Sequence, residues 1–186
     1  MSTEKEKMLA GEMYSPEDPQ LLKERAEARQ LTQEFNGPVS YERRYTILKE
    51  LLGTMGESIG IEPSFQVDYG YNIHVGENFF ANFNCVFLDV CPIRFGKNAM
   101  LGPSVHILTP EHPLNPTERN SGYEFGRPIT IGDNCWIGGN VTIIGGVTLG
   151  DNVVVAAGAT VTKSFGDNVV IGGVPARVLR EIEIEE

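Results

Sequence analysis

The chain of 186 residues is short of the side chains that carry most enzyme chemistry: three histidines, three cysteines and one tryptophan. No apolar run approaches the roughly 18 residues of a membrane span, and residues 1–11, MSTEKEKMLAG, are charged where a secretory signal would be apolar. A cytoplasmic location with no membrane partner is expected. Basic residues are also few. Fifteen Lys and Arg against 25 Asp and Glu leave a net charge of −10, which argues against non-specific nucleic-acid binding and means that an anionic ligand needs a local positive patch. Cys85, Cys91 and Cys135 are odd in number, and their spacings fit no zinc pattern. A cytosolic chain has little use for disulfides. All three fall on small inward positions of the repeat described next, where a free cysteine acts as a small hydrophobe. His74, His106 and His112 lack the close spacing of a three-histidine site, so no metal is expected.

What the sequence does contain is a strict period of six. An aliphatic residue returns at Ile131, Ile137, Ile143, Leu149, Val155 and Val161, with a small residue four places on at Cys135, Val141, Val147, Val153 and Ala159. This is neither a helical nor an alternating-strand pattern. It is the pattern of hexapeptide repeats, each forming one short side of a parallel β-helix. Upstream the count continues through Met55, Ile61, Val67 and Ile73, then Val75, Ala81, Phe87 and Ile93, then Phe95, Leu101 and Ile107. It slips by two at 73–75 and 93–95, as it does at 129–131, each time after three sides. Three sides therefore make one turn of a triangular coil, and one corner carries two extra residues. About five coils are expected, of mainly β structure. From Ile107 to Ile129 the chain spends 22 residues where six would do, so about 16 leave the prism as an excursion within residues 108–128. A loop of this length without structure of its own is functional or disordered.

Residues 1–54 read as an N-terminal helical arm and 55–186 as the β-helix. Thr3 to Glu6 fits a capping box for a short helix running to Gly11. Asp18 and Pro19 open a second helix to Phe35, closed by Asn36-Gly37, with Leu22, Ala26, Arg29 and Gln33 on one face and Leu21 and Ala28 beside it. A third helix runs from Ser40 to Leu52, with Tyr45, Leu48 and Leu52 at helical spacing. The arm is expected to cover the open end of the prism, because the terminal coil of a solenoid needs a cap. Glu77-Asn78 and Lys97-Asn98, each after a glycine, are placed at corners. After Phe165 the repeat fades into a last strand or two and an acidic tail.

The candidate general base is His112. His106 sits within a regular hexapeptide and His74 is placed at a corner, whereas His112 lies off the prism in the only break of the repeat. Pro113 stiffens its backbone, and histidine is suited to proton transfer near neutral pH. With no nucleophile motif and no thiol expected to be exposed, direct group transfer is favoured over a covalent enzyme intermediate.

The segments KMLAGEMY, DYGYNIHVGENFFANFNCVFLDVCPIRFG, TPEHPLNPTERNSGYEFGRPITIGDNCWIGGNV and GVPARV resemble the maltose O-acetyltransferases, within the wider group of galactoside and nodulation acetyltransferases. The likeness covers nearly the whole chain. It implies a left-handed parallel β-helix, whose hand the count of sixes does not give, assembled as a homotrimer with its active sites between subunits. It also implies transfer of acetyl from acetyl-CoA to a hydroxyl of maltose, glucose or a similar small sugar. By the same resemblance His112 matches the catalytic base, and Asn82 the side chain that helps hold acceptor and transition state. Asp68 matches an acceptor-binding position. Gly139, Ala157, Thr162, Lys163, Arg177 and Arg180 match positions that line the acetyl-CoA groove, and Trp136 is close by in sequence. Asp89-Val90 stands where galactoside enzymes carry a second acidic residue, which points away from β-galactosides. Other acceptors, such as a xenobiotic or serine, and a non-catalytic scaffold are the alternatives.

Overall fold

The computed structural model describes residues 2–184, so the end of the expected acidic tail lies outside the described residues. Three helices come first. Thr3 caps α1 (Glu4–Ala10) in the expected box, its hydroxyl accepting from the Glu6 N–H while the Glu6 carboxylate accepts from the Thr3 N–H. Asp18 caps α2 (Pro19–Phe35), with Pro19 in its first turn, and Ser40 caps α3 (Tyr41–Leu51). The buried face of α2 differs from the expected one. Leu21, Ala28, Thr32 and Phe35 point inward, while Leu22, Ala26, Arg29 and Gln33 are exposed. Phe35 sets this rotation by meeting Phe65 of the first coil edge-on, with ring centroids 6.3 Å apart. Thr32 can follow it inward because its hydroxyl donates to the Ala28 carbonyl at 3.1 Å.

The strands then wind in turns of three. The first turn is β1 (Thr54–Met55), β2 (Gly60–Ile61) and β3 (Phe65–Val67). The second is β4 (Ile73–Val75), β5 (Phe80–Ala81) and β6 (Cys85–Leu88), and the third β7 (Ile93–Phe95), β8 (Met100–Leu101) and β9 (His106–Leu108). The excursion follows, and it has structure of its own: β10 (Pro110–Glu111) and β11 (Phe125–Gly126) pair antiparallel around the single-turn α4 (Pro116–Arg119). The coil resumes with β12 (Ile129–Ile131), β13 (Trp136–Ile137) and β14 (Thr142–Ile144), then β15 (Thr148–Leu149), β16 (Val154–Val155) and β17 (Thr160–Val161). β18 (Val169–Gly173) opens a sixth turn and folds back into β19 (Ala176–Glu181).

Three parallel sheets form the prism. Sheet I is β1-β4-β7-β12-β15, sheet II is β2-β5-β8-β13-β16-β18 with β19 antiparallel at its edge, and sheet III is β3-β6-β9-β14-β17. From Ile61 onward every aliphatic or aromatic position of the six-residue count is buried along the axis. Stacked partners are 20 residues apart in the early turns, as for His74 and Arg94, and 18 apart later, as for Thr130 and Thr148. The wider turns hold the larger side chains: Phe65, Phe87, Phe95 and Phe79 form a chain of rings with centroids 4.9–5.5 Å apart. Each buried ring contributes about 1.5–3 kcal/mol.

At the corner between sheets I and II, Asn78, Asn98, Asn134, Asn152 and Asn168 all take left-handed φ values of 56–58°, which asparagine tolerates better than most residues. Their side chains form a ladder, each amide donating to the next at 2.7–3.0 Å.

Two expectations are corrected. His74 is not at a corner. It lies in β4 facing outward, with Nδ1 3.0 Å from the Thr54 hydroxyl, because the two-residue slip lengthens the corner before it. Cys91 is buried, but outside the axial core. Its thiol donates to the Met8 carbonyl at 3.2 Å, and at Gly126 any Cβ would come within 2.6 Å of its Sγ. The extra corner residues carry Cys91 outward, under α1 and β11. Cys85 and Cys135 do line the axis.

Candidate active site

The lengthened corner is the one between sheets III and I. It is formed by residues 68–72 in the first turn, 89–92 in the second and the excursion in the third, whereas in the fourth turn it shrinks to residues 145–147. The three long corners stack and build one side of the molecule. Asp89, fully buried, accepts from the backbone N–H groups of Asp68 at 3.1 Å, Tyr69 at 2.9 Å and Asn72 at 3.2 Å. The Asn72 amide returns a bond to the Asp89 carbonyl at 2.7 Å. A side chain from the second turn therefore shapes the loop of the first. Burial pushes the Asp89 carboxyl up to about 7, against the pull of these donors.

Above this floor lies a cavity of about 280 Å³, lined by Asp68, Leu88 and Val90 from the prism, Pro110, His112 and Glu124 from the excursion, and Pro16, Arg25 and Arg29 from the arm. Asp68 has its pKa raised by burial and by Glu124, offset by Arg25 and Arg29. Arg25 donates to the Tyr69 hydroxyl at 3.1 Å and to the Pro16 carbonyl at 2.8 Å. The Nε2 of His112 is 3.8 Å from Oε2 of Glu124. On the other side His112 borders a second hollow of about 380 Å³, with Leu108, Pro110, Glu111, Leu114, Ile144 and Gly145. The imidazole thus forms part of the wall between two hollows. It is also about half exposed.

Of the residues singled out from the sequence, the fold brings Asp68 and His112 together. Asn82 is elsewhere: it follows β5 at the corner between sheets II and III, its side-chain oxygen accepting from the Phe83 N–H at 2.8 Å. The width of sheet III, roughly 13 Å for four residues, separates the two corners. Gly139 and Ala157 stack at the same corner as Asn82, where the Gly139 carbonyl accepts from the Gly158 N–H at 2.9 Å. Ala156 approaches Gly172, which pairs with Arg177, so Ala157 and Arg177 share one end of the prism. Thr162 and Lys163 follow β17 at the III–I corner, two turns beyond the excursion, with the Lys163 ammonium 5.4 Å from the Phe165 ring centre. Arg180 is exposed on β19.

Glu124, Tyr14, Arg25 and Arg29 were not singled out from the sequence as site residues. Glu124, Arg25 and Arg29 line the cavity and Tyr14 lies behind Glu124, held there by contacts between the arm and the excursion such as the isolated bridge between Tyr14 and Glu124. Nothing in the six-residue period signals such a contact. Among the described residues no cluster of three or more His, Cys, Asp or Glu could hold a metal ion, and no helix is long and apolar enough to cross a membrane.

Residues 7–56 match the family described as the maltose acetyltransferase hexapeptide capping motif, and residues 128–163 match the hexapeptide repeat of succinyl-transferase. The crystal structure of a maltose O-acetyltransferase from Clostridium difficile is 52% identical, superposes with a TM-score of 0.97 and covers 98% of this chain and 99% of its own. A Vibrio cholerae hexapeptide-repeat acetyltransferase, solved with acetyl coenzyme A, is 36% identical at a TM-score of 0.92, covering 98% of this chain and 100% of its own. The galactoside O-acetyltransferase of Escherichia coli is 41% identical over 95% of this chain and 88% of its own length. Fold and likeness together place the protein among the hexapeptide-repeat acyltransferases, and within them the chain belongs to the family of maltose and galactoside O-acetyltransferases.

Proposed function

We propose that the protein moves the acetyl group of acetyl-CoA directly to a hydroxyl of maltose, glucose or a similar small sugar, with His112 as general base. The observation that carries this is the position of His112 in the wall between two hollows. An acceptor in the cavity with Asp68 and a thioester entering from the other side would meet at the imidazole. His112 takes the hydroxyl proton as the sugar oxygen attacks the thioester carbon. The C–S bond then breaks, and the imidazolium returns the proton to the leaving thiolate. Holding both reactants together makes the step effectively unimolecular.

Asn82 is the proposed donor to the tetrahedral oxyanion, and its separation from His112 within one chain is met by a homotrimer in which it comes from a neighbouring copy. Gly139, Ala157, Thr162, Lys163, Arg177 and Arg180 are proposed to line the acetyl-CoA groove, the Vibrio cholerae relative having been solved with that ligand. The test is thiol release from acetyl-CoA with glucose, maltose, galactosides, serine and chloramphenicol as acceptors. The proposal requires a sugar to lead, and it requires His112→Ala to lose about 10²- to 10⁴-fold in turnover while still binding acetyl-CoA. Release led by serine or chloramphenicol would reassign the acceptor, and no release with any acceptor would favour a scaffold.

A further inference from the structure

Tyr14 lies in the short segment between α1 and α2, far in sequence from the excursion, yet it is tied to the excursion at three points. Its backbone N–H donates to the Glu124 carbonyl at 2.9 Å, the Glu124 N–H donates to the Tyr14 carbonyl at 3.2 Å, and its hydroxyl bonds Oε1 of Glu124. Glu124 then presents Oε2 to His112. We propose that Tyr14 is a positioning residue for the catalytic histidine, acting through Glu124: the phenol fixes one carboxylate oxygen so that the other stays turned toward the imidazole.

The phenol suits this role because it cannot move away. Tyr14 is fully buried, packed with Met8, Leu21, Tyr69 and Val90 in a small core separate from the prism axis. Burial, and then the facing Glu124 carboxylate, raise its pKa, so the phenol keeps its proton and is the donor of the pair. A glutamate side chain with three rotatable bonds would otherwise sample several orientations, and Arg25 and Arg29 line the same cavity as competing partners. With Oε1 taken by Tyr14, one geometry is left. The nitrogen of His112 that faces Oε2 is then the one favoured to carry the ring proton, which leaves the other free to act as base. The helical arm thereby both caps the prism and supplies part of the catalytic apparatus.

The proposal rests on His112 being the base, and the test separates the two. Steady-state kinetics with acetyl-CoA and the best acceptor would be measured for Tyr14→Phe, Glu124→Ala, the double variant and His112→Ala, with thermal melts on each. Tyr14→Phe should lower kcat by about tenfold with the KM for acetyl-CoA unchanged. The double variant should be no slower than Glu124→Ala alone, since the phenol acts only through that carboxylate. If Tyr14→Phe keeps wild-type kcat while His112→Ala is inactive, the positioning role is wrong and the base stands. Losses that add in the double variant, or a raised KM for acetyl-CoA alongside a lowered melting point, would make Tyr14 a packing residue only. Near-normal turnover by His112→Ala overturns both.

Discussion

The carboxylate of Asp89 holds the backbone N–H of Tyr69 at 2.9 Å, so a buried acid in the second coil fixes the corner of the first. Two further N–H groups, of Asp68 and Asn72, share that carboxylate. Removing it leaves three donors facing inward without a partner. Asp89→Ala should therefore cost at least about 1–3 kcal/mol and raise the KM for the acceptor, whose proposed contact Asp68 sits on this corner. Chemical denaturation and acceptor kinetics would check it, and a variant as stable as wild type would contradict it.

The same group makes a prediction about pH. Its folded pKa of about 7 lies above the ordinary aspartate value. The folded protein therefore keeps a proton that the unfolded chain gives up near pH 4. The contribution is fully present below the unfolded pKa and is lost as pH rises through the folded one. Wild type should lose stability between about pH 4 and pH 7 relative to Asp89→Asn, which keeps an acceptor but does not titrate, by on the order of 1 kcal/mol or more. Parallel melting curves for the two proteins across that range would rule it out.

Lys163 and Arg180 offer exposed positive charge on a protein of net charge −10. If they meet the phosphates of CoA, replacing both with Gln should raise the KM for acetyl-CoA by about 3- to 10-fold, as exposed ion pairs do, and leave the acceptor KM alone. Wild-type affinity for CoA should also weaken with salt. An unchanged KM would put the phosphates elsewhere.

No acetyl-enzyme should form on cysteine. Burial pushes the thiols of Cys91 and Cys135 up to about 11 and raises that of Cys85, so none is a thiolate at neutral pH. Single Cys→Ala variants should keep kcat within about twofold while losing roughly 1 kcal/mol of stability. Mass spectrometry that trapped acetyl on any of the three during turnover would count against direct transfer.

The separation of Asn82 from His112 across sheet III gives a test of the assembly. His112→Ala and Asn82→Ala should each be nearly inactive, and mixing the two proteins with subunit exchange should restore part of the activity if one site takes these residues from different chains. Exchange verified by mass spectrometry with no recovery would show that each chain supplies both.

The repeat and the caps were legible in the sequence because each depends on local chemistry. A period of six names the axial residues, and Thr3, Asp18 and Ser40 cap their helices as those residue types do. The two-residue slips were legible too, and they mark the corner where the cavity lies. What the sequence does not show is how the arm meets the excursion beside that cavity. Tyr14 and Glu124 are 110 residues apart, and no period or propensity relates them. The rotation of α2 is hidden from the sequence for a similar reason: Phe35 turns toward Phe65, a partner its own helix does not indicate.

The change from 20 to 18 residues per turn has a consequence for how a repetitive chain finds its place. In a uniform solenoid, coils displaced by one turn would pair almost as well as the native ones. Here Phe65, Phe87 and Phe95 fill the wide turns, and a one-turn slip would set the Phe95 ring in the place of Ile131 and the Phe87 ring in that of Ile107. Overpacking of that kind costs about 1–3 kcal/mol at each position, and the vacated wide turn would be left with voids. The taper thus acts as a ruler, encoding in side-chain volume which coil is which while the main-chain pairing stays the same throughout.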